Sequence, residues 1–128
     1  MAWDRSEPSG VVNVYEFHSP TQVHFGAGVA SRLVQILPTF GSRVLFVTGN
    51  QPERAASLLS SLNWERTNCP VLRVQGEPTV DDVRRGVLLA TSLRCDVLVG
   101  LGGGSAIDAG KAIAAIAANG GDPMDYLE

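Results

Sequence analysis

Asp96-Val97-Leu98-Val99-Gly100-Leu101-Gly102-Gly103-Gly104-Ser105 is an apolar run that leads straight into three glycines and a residue able to cap a helix. A continuous apolar strand is the pattern of a parallel sheet covered by helices on both faces. Glycines at its carboxyl end let a ligand approach the main chain, and the free N–H groups and dipole of the following helix favour an anion there. In open α/β sheets that position is where nucleotides bind. The segment is not the G-x-G-x-x-G fingerprint, because Ser105 stands where the last glycine belongs, and it is not a P-loop, because no Gly-Lys-Ser/Thr follows. The plainer reading is a tight turn with Ser105 as helix cap and Asp108 closing a capping box; both roles coexist if the side chain caps while the backbone N–H groups face a ligand.

The helix after the turn is expected over residues 105–118, stopped by Asn119-Gly120-Gly121. Asp108 would repel a phosphate aimed at it, so it is expected to point toward the reacting end of the site. Lys111 is an ion-pair partner for Asp108, a phosphate contact, or a solvated lysine. Upstream lie two further strand-helix units. Residues 43–48 (RVLFVT) form a strand, and Asn50, Pro52 and Glu53 signal the start of a helix whose apolar face is Ala55, Leu58, Leu59 and Leu62. Residues 71–74 form the next strand, and Thr79 with Asp82 makes a capping box before a helix with the stripe Val80, Val83, Val87 and Ala90. Earlier still, residues 21–25 alternate like an exposed strand, and residues 29–37 read as a short helix ended by Pro38. The class is α/β, a parallel sheet with crossover helices.

The 128 residues, 45% hydrophobic and 18% charged, suit one globular domain. A balance of 10 Lys and Arg against 13 Asp and Glu, with no basic run, argues against nucleic acid as a partner. The start, MAWDRSEPSG, lacks the apolar stretch of a secretory signal and reads as an untargeted mobile segment, so a cytoplasmic location is expected. The longest apolar run, residues 112–118, is far short of the roughly 20 residues a bilayer span needs, so no membrane partner is expected. Cys69 and Cys95 sit at no metal-ligand spacing and are expected as reduced thiols.

The run Gly102-Gly103-Gly104-Ser105-Ala106-Ile107-Asp108-Ala109-Gly110-Lys111-Ala112 resembles the G-G-G-S-x-x-D-x-x-K-x signature of the iron-containing alcohol dehydrogenases, relatives of glycerol dehydrogenases and dehydroquinate synthases. Phe25-Gly26-Ala27-Gly28, Val47-Thr48-Gly49, Glu77-Pro78-Thr79 and Asp125-Tyr126-Leu127 fall in that family's order. The resemblance spans about residues 17–128. It implies a Rossmann-like sheet, here truncated: 1–16 a mobile start, 17–128 a partial dinucleotide-binding domain, and the helical metal-binding domain absent. Tyr126 and Leu127, apolar with no further element to cover them, add to that expectation of truncation.

Carried over by position, the resemblance implies cofactor contacts at Gly49, Glu77, Gly102, Gly103, Gly104, Ser105 and Asp108. The implied cofactor is NADP or NAD. Fe²⁺ or Zn²⁺ would be held by an Asp and three His of the missing domain, so no catalytic residue or metal ligand is expected here, His18 and His24 included. The chain alone is expected to be inactive. The full-length form would act on a small alcohol or aldehyde and assemble as a homo-oligomer. Family members that prefer NAD carry an Asp where Gly49 stands, a carboxylate that binds the ribose 2′-hydroxyl and repels a 2′-phosphate. Without it NADP is expected, with Arg54 as a phosphate partner, unless Gly49 is a turn glycine and Arg54 a solvated helix residue. Two alternatives stand beside this: a non-catalytic dinucleotide-binding or interaction module, and a fragment of a glycerol dehydrogenase-like or dehydroquinate synthase-like enzyme.

Overall fold

β1 (Val44–Thr48) is the middle strand of a parallel three-stranded sheet, flanked by β2 (Val71–Arg73) on one side and β3 (Val97–Leu101) on the other. The computed structural model describes residues 21–61 and 69–127; the side chains of Pro52, Arg54, Ala55, Leu59 and Ser61 are not among those described. Every residue of β1 is buried, as a strand covered on both faces must be. Its side chains alternate between two cores. Leu45 and Val47 join Leu72 and Val74 beneath α3 (Val80–Ser92) and α4 (Gly104–Asn119), where Val83, Ala109 and Ile113 meet them. Val44 and Phe46 face the other way, against Leu37 of α1 (Leu33–Phe40) and the side chains of Val97 and Val99. Fully burying a residue such as Phe46 or Ile113 contributes about 1.5–3 kcal/mol.

α2 (Pro52–Ser61) follows β1 and touches both β1 and the 3₁₀ turn Val29–Arg32 that leads into α1, so it lies on the α1 face. α4 follows β3 on the opposite face. The loops leaving the two neighbouring strands therefore diverge, and a crevice opens at their carboxyl ends, the arrangement of a topological switch point.

The amino ends of β1 and β3 are tied together by Asp96. Its Oδ1 accepts the N–H groups of Ser42 (3.0 Å) and Arg43 (2.7 Å), and the Arg43 guanidinium lies 3.7 Å from Oδ2. The Arg43 N–H in particular holds the Asp96 carboxyl below its usual range. A Cβ on Gly41 would stand 2.6 Å from the Asp96 Cγ, so only glycine leaves room for this clamp.

The bounds of the three strands and of α4 agree with the sequence reading to within a residue or two, whereas the helix expected over residues 29–37 is a 3₁₀ turn (Val29–Arg32) followed by α1, which runs on to Phe40; four local expectations are corrected. Residues 21–25 form no strand; Phe25 is fully exposed, and no described strand offers a ladder to this segment. Pro38 lies inside α1 rather than after it. Only two residues follow it, so the one bond it withholds, to the Val34 carbonyl, falls near the helix end, where the Thr39 hydroxyl donates to the Ile36 carbonyl (2.7 Å) and the Gly41 N–H to the Leu37 carbonyl (3.2 Å). α4 begins at Gly104 with Gly103 as its N-cap, so Ser105 is already the second helical residue and does not cap. Asp108 consequently falls beyond the first turn and closes no capping box. By contrast the Thr79–Asp82 box is present, with the Asp82 N–H donating to the Thr79 hydroxyl at 3.1 Å and the Thr79 N–H donating to the Asp82 carboxylate at 2.9 Å.

Val83 and Ala90 of the predicted α3 stripe are buried, with Val80 and Val87 half-buried beside them. In α2, Leu58 is half-buried, while the side chains of Ala55 and Leu59 and all of Leu62 lie outside the description, as do the first twenty residues with the expected mobile start and His18. Cys69 and Cys95 are half-buried and are not joined in a disulfide; burial pushes the Cys95 thiol up. Among the described residues no helix is long and apolar enough to cross a membrane.

Candidate dinucleotide site

Because all three strands run parallel, the loops after β1, β2 and β3 gather at one end of the sheet. The tightest contact there is between the first and third. Gly102 has φ 148°, a conformation essentially reserved for glycine, and a Cβ on it would stand 3.2 Å from the Ala106 Cβ and 3.5 Å from the Gly49 nitrogen. Gly49 and Gly102 thus bring two backbones together at the crevice.

Beyond Gly102 the chain turns into α4 with its head bare. Gly103 offers no side chain to the helix, the first bond into it runs from the Ile107 N–H to the Gly103 carbonyl (3.2 Å), and the N–H groups of Gly104, Ser105 and Ala106 have no acceptor among the described residues. Added Cβ atoms at Gly103 and Gly104 would meet nothing within 4 Å, so the turn is uncrowded on the side those side chains would take. Three unsatisfied N–H groups at the positive end of a 16-residue helix are what an anion with several oxygens needs.

The remaining predicted residues are spread along the same rim. Glu77 is exposed in the loop leaving β2, just after Gly76, which takes φ 71°. Asp108 lies one turn into α4 and, with Pro78 and Tyr126, lines a largely apolar groove of about 420 Å³ between α3, α4 and the 3₁₀ turn Pro123–Tyr126. Its carboxylate is 3.9 Å from the Lys111 ammonium, and both groups are exposed, so this pair adds little to stability. Arg84 of α3 fixes the groove's far wall by a two-pronged bond to Asp122 (2.7 and 2.8 Å), which holds the Asp122 carboxyl below its usual range.

Several residues at the site were not picked out from the sequence. Gly100 and Gly110 let α4 sit close on β3: a Cβ on Gly100 would be 3.3 Å from the Ala106 carbonyl oxygen, and one on Gly110 3.8 Å from the Gly100 Cα. A glycine inside a helix costs about 1 kcal/mol against alanine, which marks Gly110 as a packing position. Thr48, the last residue of β1, is fully buried with its hydroxyl unpartnered among the described residues. Arg73, the last residue of β2 and the register partner of Thr48, reaches across to the loop after β1 and donates to the Asn50 carbonyl at 3.4 Å. Strand register is set by long-range pairing, so nothing in the local sequence placed Arg73 beside residues 49–50. The side chain of Arg54, expected there, is not among those described.

His24 is exposed, and among the described residues no three His, Cys, Asp or Glu come together as metal donors.

A parallel sheet with a glycine turn where the crossover helices change face defines an α/β fold of the doubly wound kind. Residues 20–128 match the iron-containing alcohol dehydrogenases, and the chain belongs to that family. It is 34% identical over 118 residues to the probable NADH-dependent butanol dehydrogenase 1 of Bacillus subtilis, a match covering 88% of this chain and 30% of that protein. It is 29% identical over 109 residues to the NADPH-dependent aldehyde reductase YqhD of Escherichia coli, covering 83% and 28%. Among solved structures, the NADH-dependent butanol dehydrogenase A of Thermotoga maritima superposes with a TM-score of 0.68 at 28% identity, covering 88% of this chain and 30% of that one. The chain thus spans about 30% of the length of these relatives.

Proposed function

We propose that this chain is the dinucleotide-holding part of a nicotinamide-dependent alcohol dehydrogenase that moves hydride between the nicotinamide and a small alcohol or aldehyde. The observation that carries the reading is the bare head of α4, three N–H groups without acceptors beside the Gly49–Gly102 contact. The pyrophosphate takes those N–H groups. One nucleoside then lies toward Gly49 and the loop after β1, and the other toward Asp108 and the apolar groove, where the nicotinamide end is shielded from water. Ser105, with a hydroxyl that bonds to no described residue, adds a side-chain donor to the cradle. Glu77 stands at the rim as an acceptor for a sugar hydroxyl. The bound nicotinamide supplies the hydride chemistry; the residues described here bind and orient it, and the substrate-activating groups belong to other sequence.

The test is calorimetric titration of the purified protein with NADPH and NADH, together with a Gly103→Asp variant. Saturable binding that the variant abolishes supports the reading, because the added carboxylate sits where the anion must be. Binding unaffected by the variant, or no binding by folded wild type, rejects it.

A further inference from the structure

We propose that Arg73 recognises a phosphomonoester on the 2′ position of the nucleotide's ribose, and so sets the preference of this site for NADPH over NADH. The inference rests on the glycine-turn reading above and adds to it the residue that selects between two cofactors. A pyrophosphate held at residues 102–104 is esterified to the ribose it serves, so that sugar lies within one residue's reach of the turn. The neighbouring backbone on that side is Gly49, which is in van der Waals reach of Gly102. Gly49 presents no carboxylate to accept a 2′-hydroxyl, and a Cβ there would meet nothing within 4 Å, so there is room for a larger group.

A cation is bonded to the residue next to Gly49. The guanidinium of Arg73 uses one N–H on the Asn50 carbonyl at a long 3.4 Å, and Arg73 makes no ion pair with any described carboxylate, Glu53 of the first turn of α2 included. Its other N–H groups are unengaged among the described residues, in a fork suited to two phosphate oxygens. The strand register that pairs Thr48 with Arg73 sets the Arg73 backbone beside the end of β1, from which its side chain reaches the loop after β1.

The experiment compares NADPH with NADH, and 2′,5′-ADP with 5′-AMP, by calorimetry on the purified wild type and on Arg73→Gln, Arg73→Lys and Gly49→Asp. The expected result is that wild type binds NADPH more tightly than NADH. Arg73→Gln lowers that ratio tenfold or more, Arg73→Lys keeps most of it, and Gly49→Asp reverses it, with 2′,5′-ADP and 5′-AMP following the same pattern. Equal loss of both nucleotides in Arg73→Gln would make Arg73 a loop anchor and overturn the proposal while leaving the glycine-turn site standing. So would an unchanged ratio, or a wild type that prefers NADH. A wild type that binds neither nucleotide overturns the site itself and the proposal with it.

Discussion

Gly86 of α3 leaves the space that Ile113 of α4 fills: a Cβ on Gly86 would stand 2.6 Å from the Ile113 Cγ1, and Ile113 has no exposed surface. The two helices on that face of the sheet are brought together by an absent side chain on one and a branched one on the other.

Gly86→Ala should therefore destabilise the fold although alanine is the better helix former. Overpacking costs about 1–3 kcal/mol, while the change of helix propensity returns at most about 1 kcal/mol. Ile113→Val removes the methyl nearest the new Cβ, so the double variant should be more stable than the sum of its parts by about 1 kcal/mol. Urea unfolding of the four proteins of this cycle measures the coupling; strict additivity would mean that the helices separate instead of clashing.

Gly102→Ala should lose stability by about 1–3 kcal/mol, since φ 148° strains any residue with a Cβ and the new methyl meets the Ala106 Cβ at 3.2 Å. Gly104→Ala, with open space at that position, should be neutral or slightly stabilising in the same unfolding assay. Equal effects at the two positions would show that the turn relaxes freely.

Gly103→Asp separates stability from binding. Gly103 caps α4 with an ordinary extended backbone and no side-chain bond, so an aspartate can bond to the free N–H groups and raise stability by a few tenths of a kcal/mol. The same carboxylate occupies the anion position, so nucleotide binding should vanish while the midpoint of thermal unfolding holds or rises. A variant that unfolds more easily would contradict the cap geometry.

The Thr79–Asp82 capping box should make stability sensitive to acid. The Thr79 hydroxyl, then its N–H, holds the Asp82 carboxyl below the usual value of 3.8. A carboxyl with a depressed folded value contributes stability in full above its unfolded value, about 3.9, and loses it as pH falls through the folded value. The loss therefore belongs below about pH 4. Asp82→Asn should flatten the fall in urea midpoint between pH 6 and pH 3 without abolishing it, because Asp96 and Asp122 are shifted in the same direction. An unchanged pH profile would remove the box as a source of the effect.

The strands and helices around the site were legible because their signals are local: an apolar run ending in glycines, Thr79 and Asp82 three residues apart, and a glycine pair after Asn119. Ser105 was misread as the cap because a hydroxyl residue after glycines suggests one, whereas Gly103 already adopts the extended backbone that a cap requires and α4 starts sooner. Arg73 and Thr48 could not be placed locally, since their neighbours are chosen by the pairing of β2 with β1. The alternation over residues 21–25 failed for the opposite reason, a strand pattern without a described partner.

Asp96 and Arg43 grip the sheet at the end away from the glycine turn, and nothing of the nucleotide cradle touches them. On the proposed reading, strand alignment and ligand choice fall to opposite poles of the same three strands. On that proposal, residues 49, 73 and 102–105 are open to redesign for a different coenzyme while the alignment of β1 and β3 is held constant from behind, and the sheet serves as a chassis for exchangeable coenzyme preference.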